Sequence, residues 1–186
     1  MQKMQNRSKL IAISVITILL ALALDLYTKE LILQYLPLYS KTDVLGGFLS
    51  LLHSNNYGAA FSFLNGAPDW FRKPFFIIVP LLAMGLVVFI MIKHKNSIKN
   101  IVAFSLILSG ALGNFISRVC YGFVTDFIDV RLTPTYHWPT FNVADIAITI
   151  GVLMIFIDMI RIESAKKRKK AKAPIKVAKK AKRKKK

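Results

Sequence analysis

The stretch Phe141-Asn-Val-Ala-Asp145-Ile-Ala-Ile-Thr-Ile150-Gly-Val-Leu-Met-Ile155-Phe-Ile-Asp158-Met-Ile160 decides the fold. Wound as a helix at about 1.5 Å per residue, it reaches about 30 Å, the thickness of a bilayer's hydrocarbon core. A helix satisfies its own backbone N–H and C=O groups, which lipid cannot do, so a membrane span is the economical structure. Three further apolar runs lie upstream, at about 10–28, 75–93 and 98–119, and with 141–161 they make four spans. The whole chain is 54% hydrophobic with mean hydropathy +0.47, more apolar than soluble domains usually are. The lone Cys120 excludes an internal disulfide framework, and no Cys/His cluster shows zinc spacing. Neither a metal nor a cofactor is expected.

The net charge of +18 is unevenly placed: residues 166–186 hold 14 Lys and Arg and no acid. A run of like charge is usually solvated and irregular, so 166–186 reads as a disordered tail behind a core of residues 1–165. The other basic residues set the topology. Lys3, Arg7 and Lys9 precede the first span, Lys93, Lys95 and Lys99 separate the second from the third, and Arg161 follows the fourth. Basic residues gather on the cytoplasmic side, which places both termini inside and segments 29–74 and 120–140 outside. The basic start and Ala21-Leu-Ala23 also fit a cleaved secretory signal. The apolar run continues through Leu24 without a polar break, which favours a retained span. Both outward segments carry strand-like pieces, Phe48–His53 and the alternating Phe123–Val130. Asn55–Gly58 reads as a turn, and Asp69-Trp70-Phe71 as an aromatic surface element.

Polar residues in or beside spans are costly, so their placement is informative. Asp25, Asn114, Arg118, Asp126, Asp129, Asn142 and Asp145 all fall at the outward ends of spans or in the adjoining segments. Asn114 and Arg118, four apart, share a helix face. Two carboxylates at one shallow, partly desolvated depth do not both ionise easily; one keeps its proton, and the pair can act as general base and general acid on one water. Simpler readings stand beside this one. Asn142 with Asp145 is also an N-cap with an acid in the first helical turn. Asp126 and Asp129 also read as solvated loop acids, Arg118 as a snorkelling cation, and Asp25 with Lys29 as an i, i+4 pair. His53, His94 and His137 suggest no site. A transporter would need polar residues through the depth of its spans, and these spans have apolar middles.

Five motifs in order resemble lipoprotein signal peptidase (signal peptidase II). They are Asp25-Leu-Tyr-Thr-Lys29, Asn56-Tyr-Gly-Ala-Ala-Phe-Ser62, Gly110-Ala-Leu-Gly-Asn114 with Arg118, Gly122-Phe-Val-Thr-Asp126-Phe-Ile-Asp129, and Phe141-Asn-Val-Ala-Asp145. The resemblance covers roughly residues 8 to 162. It implies an all-α membrane protein of four transmembrane helices with a small extracytoplasmic β-cradle, near 41–64, and a short surface helix near Pro68–Phe71. It implies a membrane aspartic endopeptidase that cleaves diacylglyceryl-modified prolipoproteins before the lipidated cysteine, at the outer face of the bacterial inner membrane. The family's catalytic dyad maps onto Asp126 and Asp145, and its supporting residues onto Asn56, Asn114, Arg118, Asn142, Asp25 and Lys29. Asp129 is taken with them from the fourth motif.

One position departs from the family's pattern: Ser117 stands where an Asp commonly precedes the arginine, leaving the hydrogen bonding of that turn open. The expected partners are the lipidated substrate, membrane lipid and the inhibitor globomycin, with the enzyme a monomer. The basic tail, lying outside the shared core, suits anionic lipid rather than a specific nucleic acid.

Overall fold

The computed structural model describes residues 2–58, 64, 66–93 and 97–183, with side chains from Ser8 to Lys167 of that set. Residues 1–152 form one compact unit and 153–186 a second. The elements run α1 (Gln2–Tyr35), β1 (Lys41–Leu45), β2 (Leu49–Asn56), α2 (Asp69–Lys93), α3 (Ile98–Tyr121), β3 (Val124–Thr133), β4 (Tyr136–Phe141) and α4 (Val143–Arg183). Four of these helices carry segments long and apolar enough to span a membrane: Ser8–Tyr35, Asp69–Lys93, Ile98–Tyr121 and Val143–Lys167. The chain is a multi-pass membrane protein.

Helix α3 is the hub of the first unit. Of its apolar window 44% is buried, against 6% in α1 and in α2. Small residues explain why. Lipid tails are as apolar as leucine, so helices associate in a bilayer by close packing, which Gly, Ala and Ser permit. A Cβ on Gly113 would collide with the Asp25 carboxylate of α1, and one on Gly110 with the Ala144 carbonyl of α4. Ala103, Ser105 and Ser109 are buried on the same helix, and Ser105 shares a 2.9 Å hydrogen bond with Ser14 of α1.

The strands form one antiparallel sheet in the order β1-β2-β3-β4. Pairing of β2 with β3 stitches the 29–74 and 120–140 segments together. Gly122 makes this possible: at φ 80° it caps α3 in the left-handed region, its N–H bonding the Arg118 carbonyl, and the chain turns out of the helix directly into β3.

One boundary differs from the sequence reading. Pro68–Phe71 leads into helix, but Asp69–Phe71 are the first turn of α2 rather than a separate surface piece. Pro74 and Pro80 lie inside α2 without ending it; Pro74 leaves the Trp70 carbonyl without its i→i−4 donor, one bond lost from a long helix. Beyond the fourth span, the described backbone continues α4 as helix as far as Arg183. Alanine and lysine are good helix formers, and the segment continues an established helix without needing a new nucleus. The Ala59–Ser62 part of the second motif and His94 lie outside the described residues.

Candidate active site

Asn142 is fully buried and caps α4. Its Oδ1 accepts from the Asp145 N–H at 3.1 Å, while the Asp145 Oδ2 accepts from the Asn142 N–H at 3.1 Å. This reciprocal box satisfies two donors that a helix start leaves orphaned. The capping reading of Asn142 and Asp145 therefore holds, yet it leaves atoms over. The Asn142 Nδ2 donates to Asp126 Oδ1 at 2.7 Å and to Asn114 Oδ1 at 3.2 Å. Asn114 Nδ2 donates to Asp145 Oδ1 at 2.9 Å. Two amides thus link Asp126 of β3 to Asp145 of α4, and the second carboxyl oxygen of Asp126 accepts from Asn56 Nδ2 of β2 at 2.8 Å.

Beneath this layer lies a buried ion pair. Lys29, 3% exposed, donates to Asp25 Oδ2 at 2.8 Å and to Asn114 Oδ1 at 2.8 Å. Asp25, 1% exposed, accepts from the Ala144 N–H at 2.8 Å, so one carboxylate joins α1 to the start of α4. The close approach of α3 at Gly113 keeps this pair dry. Arg118 closes the other side. Its Nη2 donates to the Gly58 carbonyl at 2.8 Å, and its guanidinium lies 4.9 Å from the centre of the Phe76 ring. It has a partner in the loop after β2 rather than snorkelling free. Ser117, at the position that departs from the family's pattern, donates to the Gly113 carbonyl at 3.0 Å and stays within its own helix.

The electrostatics follow from the charge count. Asp25, Asp126 and Asp145 bring three carboxyl groups, and Lys29 and Arg118 two cations, so the cluster is balanced when one carboxyl keeps a proton. Burial pushes the Asp126 carboxyl up to about 6; the nearby Asp145 adds to this, while hydrogen bonds from Asn56 and Asn142 and the charge of Lys29 oppose it. Asp145 is the more accessible partner, being only partly buried. A cavity of about 450 Å³ opens beside Arg118, lined by Tyr57, Arg72, Phe76, Val119 and Gly122. The arrangement sets two carboxyl groups, one with raised proton affinity, in one network of amide donors.

Eight of the nine residues singled out in the sequence meet here: Asp25, Lys29, Asn56, Asn114, Arg118, Asp126, Asn142 and Asp145. Asp129 does not join them. Its carboxylate accepts from Lys41 Nζ at 2.6 Å and sits 2.9 Å from His137 Nδ1. Lys41, His137 and the carbonyl of Gly58 were not foreseen. A lysine reaching across a sheet leaves no local signature, and a backbone acceptor leaves none at all.

The family described as Signal peptidase (SPase) II matches residues 17–161. A lipoprotein signal peptidase of Syntrophus aciditrophicus (strain SB) is 43% identical over 152 residues, covering 81% of this chain and 94% of its own. One from Geobacter sulfurreducens is 46% identical over 147 residues, covering 78% and 90%. A bacterial membrane enzyme solved by the in meso method at 2.3 Å resolution has a TM-score of 0.75 and 34% identity, covering 83% of this chain and 91% of that one. The match spans the whole of the first unit from Thr17 onward and includes every residue of the cluster. This chain belongs to the signal peptidase II family and is a protease.

Proposed function

We propose that the chain is an aspartic endopeptidase that removes the signal peptide from diacylglyceryl-modified bacterial prolipoproteins, cutting before the lipidated cysteine. The observation that carries this reading is the bridging of Asp126 and Asp145 by Asn114 and Asn142 at the end of an apolar helix bundle. The names of the relatives supply the substrate class. Asp126, with its raised proton affinity, holds the shared proton at rest. Asp145, with two N–H donors at a helix start where negative charge is favoured, takes a proton from water. The resulting hydroxide attacks the scissile carbonyl carbon and Asp126 protonates the developing oxyanion; Asp145 then gives its proton to the amide nitrogen while Asp126 takes one back from a gem-diol hydroxyl, so that the C–N bond breaks, the amine leaves and the dyad returns to its starting state. Arg118 and Asn56 hold the neighbouring loop and the substrate backbone in register. The basic flanks of the spans support an outward-facing site with both termini cytoplasmic. The tail then lies against the anionic inner leaflet, and the enzyme works as a monomer that globomycin blocks.

The test is cleavage by the purified full chain in vesicles, using a diacylglyceryl proprotein and its unlipidated counterpart. Mass spectrometry of the product is expected to show one cut, immediately before the lipidated cysteine, with the unlipidated protein intact. Equal cleavage of both, or cutting elsewhere, contradicts the assignment.

A further inference from the structure

Strand β3 carries Asp126, and β4 leads into Asn142, so the 2.7 Å bond between those side chains depends on how the two strands sit. The ladder that should hold them is broken at that point. Ile128 pairs with Phe141 and Val130 with Trp138, so Pro139 and Thr140 of β4 together face one residue, Asp129. This is a β-bulge, and proline contributes no N–H to mend it. The other flank of β3 slips as well: Ile128 pairs with Leu51 and Asp126 with Ser54, so two residues of β2 face Phe127 alone. Backbone pairing is thus interrupted on both sides of the segment that presents Asp126.

Side chains replace what the ladder lacks. The Asp129 carboxylate, 4% exposed, accepts from Lys41 of β1 at 2.6 Å, across the intervening β2. It also sits 2.9 and 3.1 Å from His137 Nδ1 of β4 through its two oxygens. Burial opposes the charge on Asp129, but the Lys41 and His137 bonds outweigh it and hold the carboxyl below the usual range, so it stays ionised. Lys41 and His137 are each about 40% exposed, so their Coulomb attraction is screened; the geometry they impose is the larger effect.

We propose that Lys41, Asp129 and His137 form a clamp that positions Asn142 against Asp126, making Asp129 and His137 positioning residues for peptide cleavage. The inference rests on the dyad reading above. The clamp brackets the bulge from its outer side, as the Asn142 capping box does from its inner side.

The test uses the full chain in vesicles with His137→Ala, His137→Asn, Asp129→Asn and, beside them, Asp126→Asn. His137→Ala is expected to lower kcat about tenfold with little change in KM, a displacement well under 1 Å sufficing for that. The alkaline limb of its pH profile moves upward, because a loosened Asn142 no longer favours the Asp126 carboxylate. His137→Asn, which keeps a donor near the Nδ1 position, restores most of the rate. Asp129→Asn follows His137→Ala; if it does not fold, the solvent-exposed His137 variants still decide. Wild-type kcat and an unmoved limb in His137→Ala, with Asp126→Asn inactive, overturn the clamp alone. A lower melting temperature with the limb unmoved makes the triad merely structural and also overturns it. An active Asp126→Asn overturns the dyad, and the clamp with it.

Discussion

Replacing Asn56 by alanine removes the 2.8 Å donor to Asp126 Oδ2 and is expected to move the pH at which activity is lost. The sign follows from what the donor does: it stabilises the ionised carboxylate, so it lowers the proton affinity that burial raises to about 6. Without it the proton is held more tightly. A hydrogen bond to a charged acceptor is worth about 1.5–3 kcal/mol, and Asn56 is only half-buried, so water recovers part of that. Taking about 1.5 kcal/mol at about 1.4 kcal/mol per unit gives an upward shift of about one pH unit in the alkaline limb of kcat/KM. Since kcat/KM reports the free enzyme, the limb should move from near 6 to near 7. The assay is initial rates on a lipopeptide without ionisable side chains, from about pH 4.5 to about pH 9. Asn56 also accepts the Gly58 N–H at 2.9 Å, so the alanine variant loses rate at every pH as well. Asn56→Asp keeps that acceptor but sets a like charge beside Asp126, and its limb should rise at least as far. A limb that stays in place or moves down in both variants would refute the assignment of the shared proton to Asp126.

Lys29→Met leaves the buried Asp25 without its cation, and stranding one partner of a buried pair typically costs about 3–5 kcal/mol. Thermal unfolding in detergent should show it, with the Asp25→Asn, Lys29→Met double variant recovering part of the loss. Gly113→Ala drives a methyl group into the Asp25 carboxylate and should cost about 1–3 kcal/mol together with much of the activity. Gly85→Ala, whose added Cβ meets nothing within 4 Å, should be neutral in the same assays. Deleting 166–186 should leave the cleavage rate largely intact on a lipidated substrate. The isolated 166–186 peptide should bind anionic vesicles in a salt-sensitive way, as expected of a polybasic segment.

Much of this site was legible in the sequence because membrane spans make polar residues scarce. Asp25, Asn114, Arg118 and Asp145 stood out against apolar helices, and their common end of the spans predicted their meeting. The choice between capping and chemistry at Asn142 and Asp145 was not legible, and the structure shows why the question was ill-posed: backbone and Oδ atoms make the cap while Nδ2 is free to bridge. Asp126 and Asp129 looked alike, two acids in one alternating strand. Three apart, they lie on opposite faces of β3 and so meet different partners; which partners those are depends on the bulges in β2 and β4, and such slips in register leave no period to read. The start of α2 was missed because Pro74 and the charged Arg72 and Lys73 resemble a boundary, although the helix runs through them. Ser117 could not be placed by comparison with a pattern it departs from; its hydroxyl finds the Gly113 carbonyl one turn back.

The central claim is that Asp126 and Asp145 together activate one water. Its most direct measurement is the single-turnover rate of Asp126→Asn and of Asp145→Asn on a diacylglyceryl proprotein in vesicles, each variant first shown to insert and to unfold at a temperature near wild type. The account predicts that both lose cleavage by at least about 10³-fold, since neither half of the acid–base pair works alone. A variant of either that still cleaves within about tenfold of wild type would contradict it.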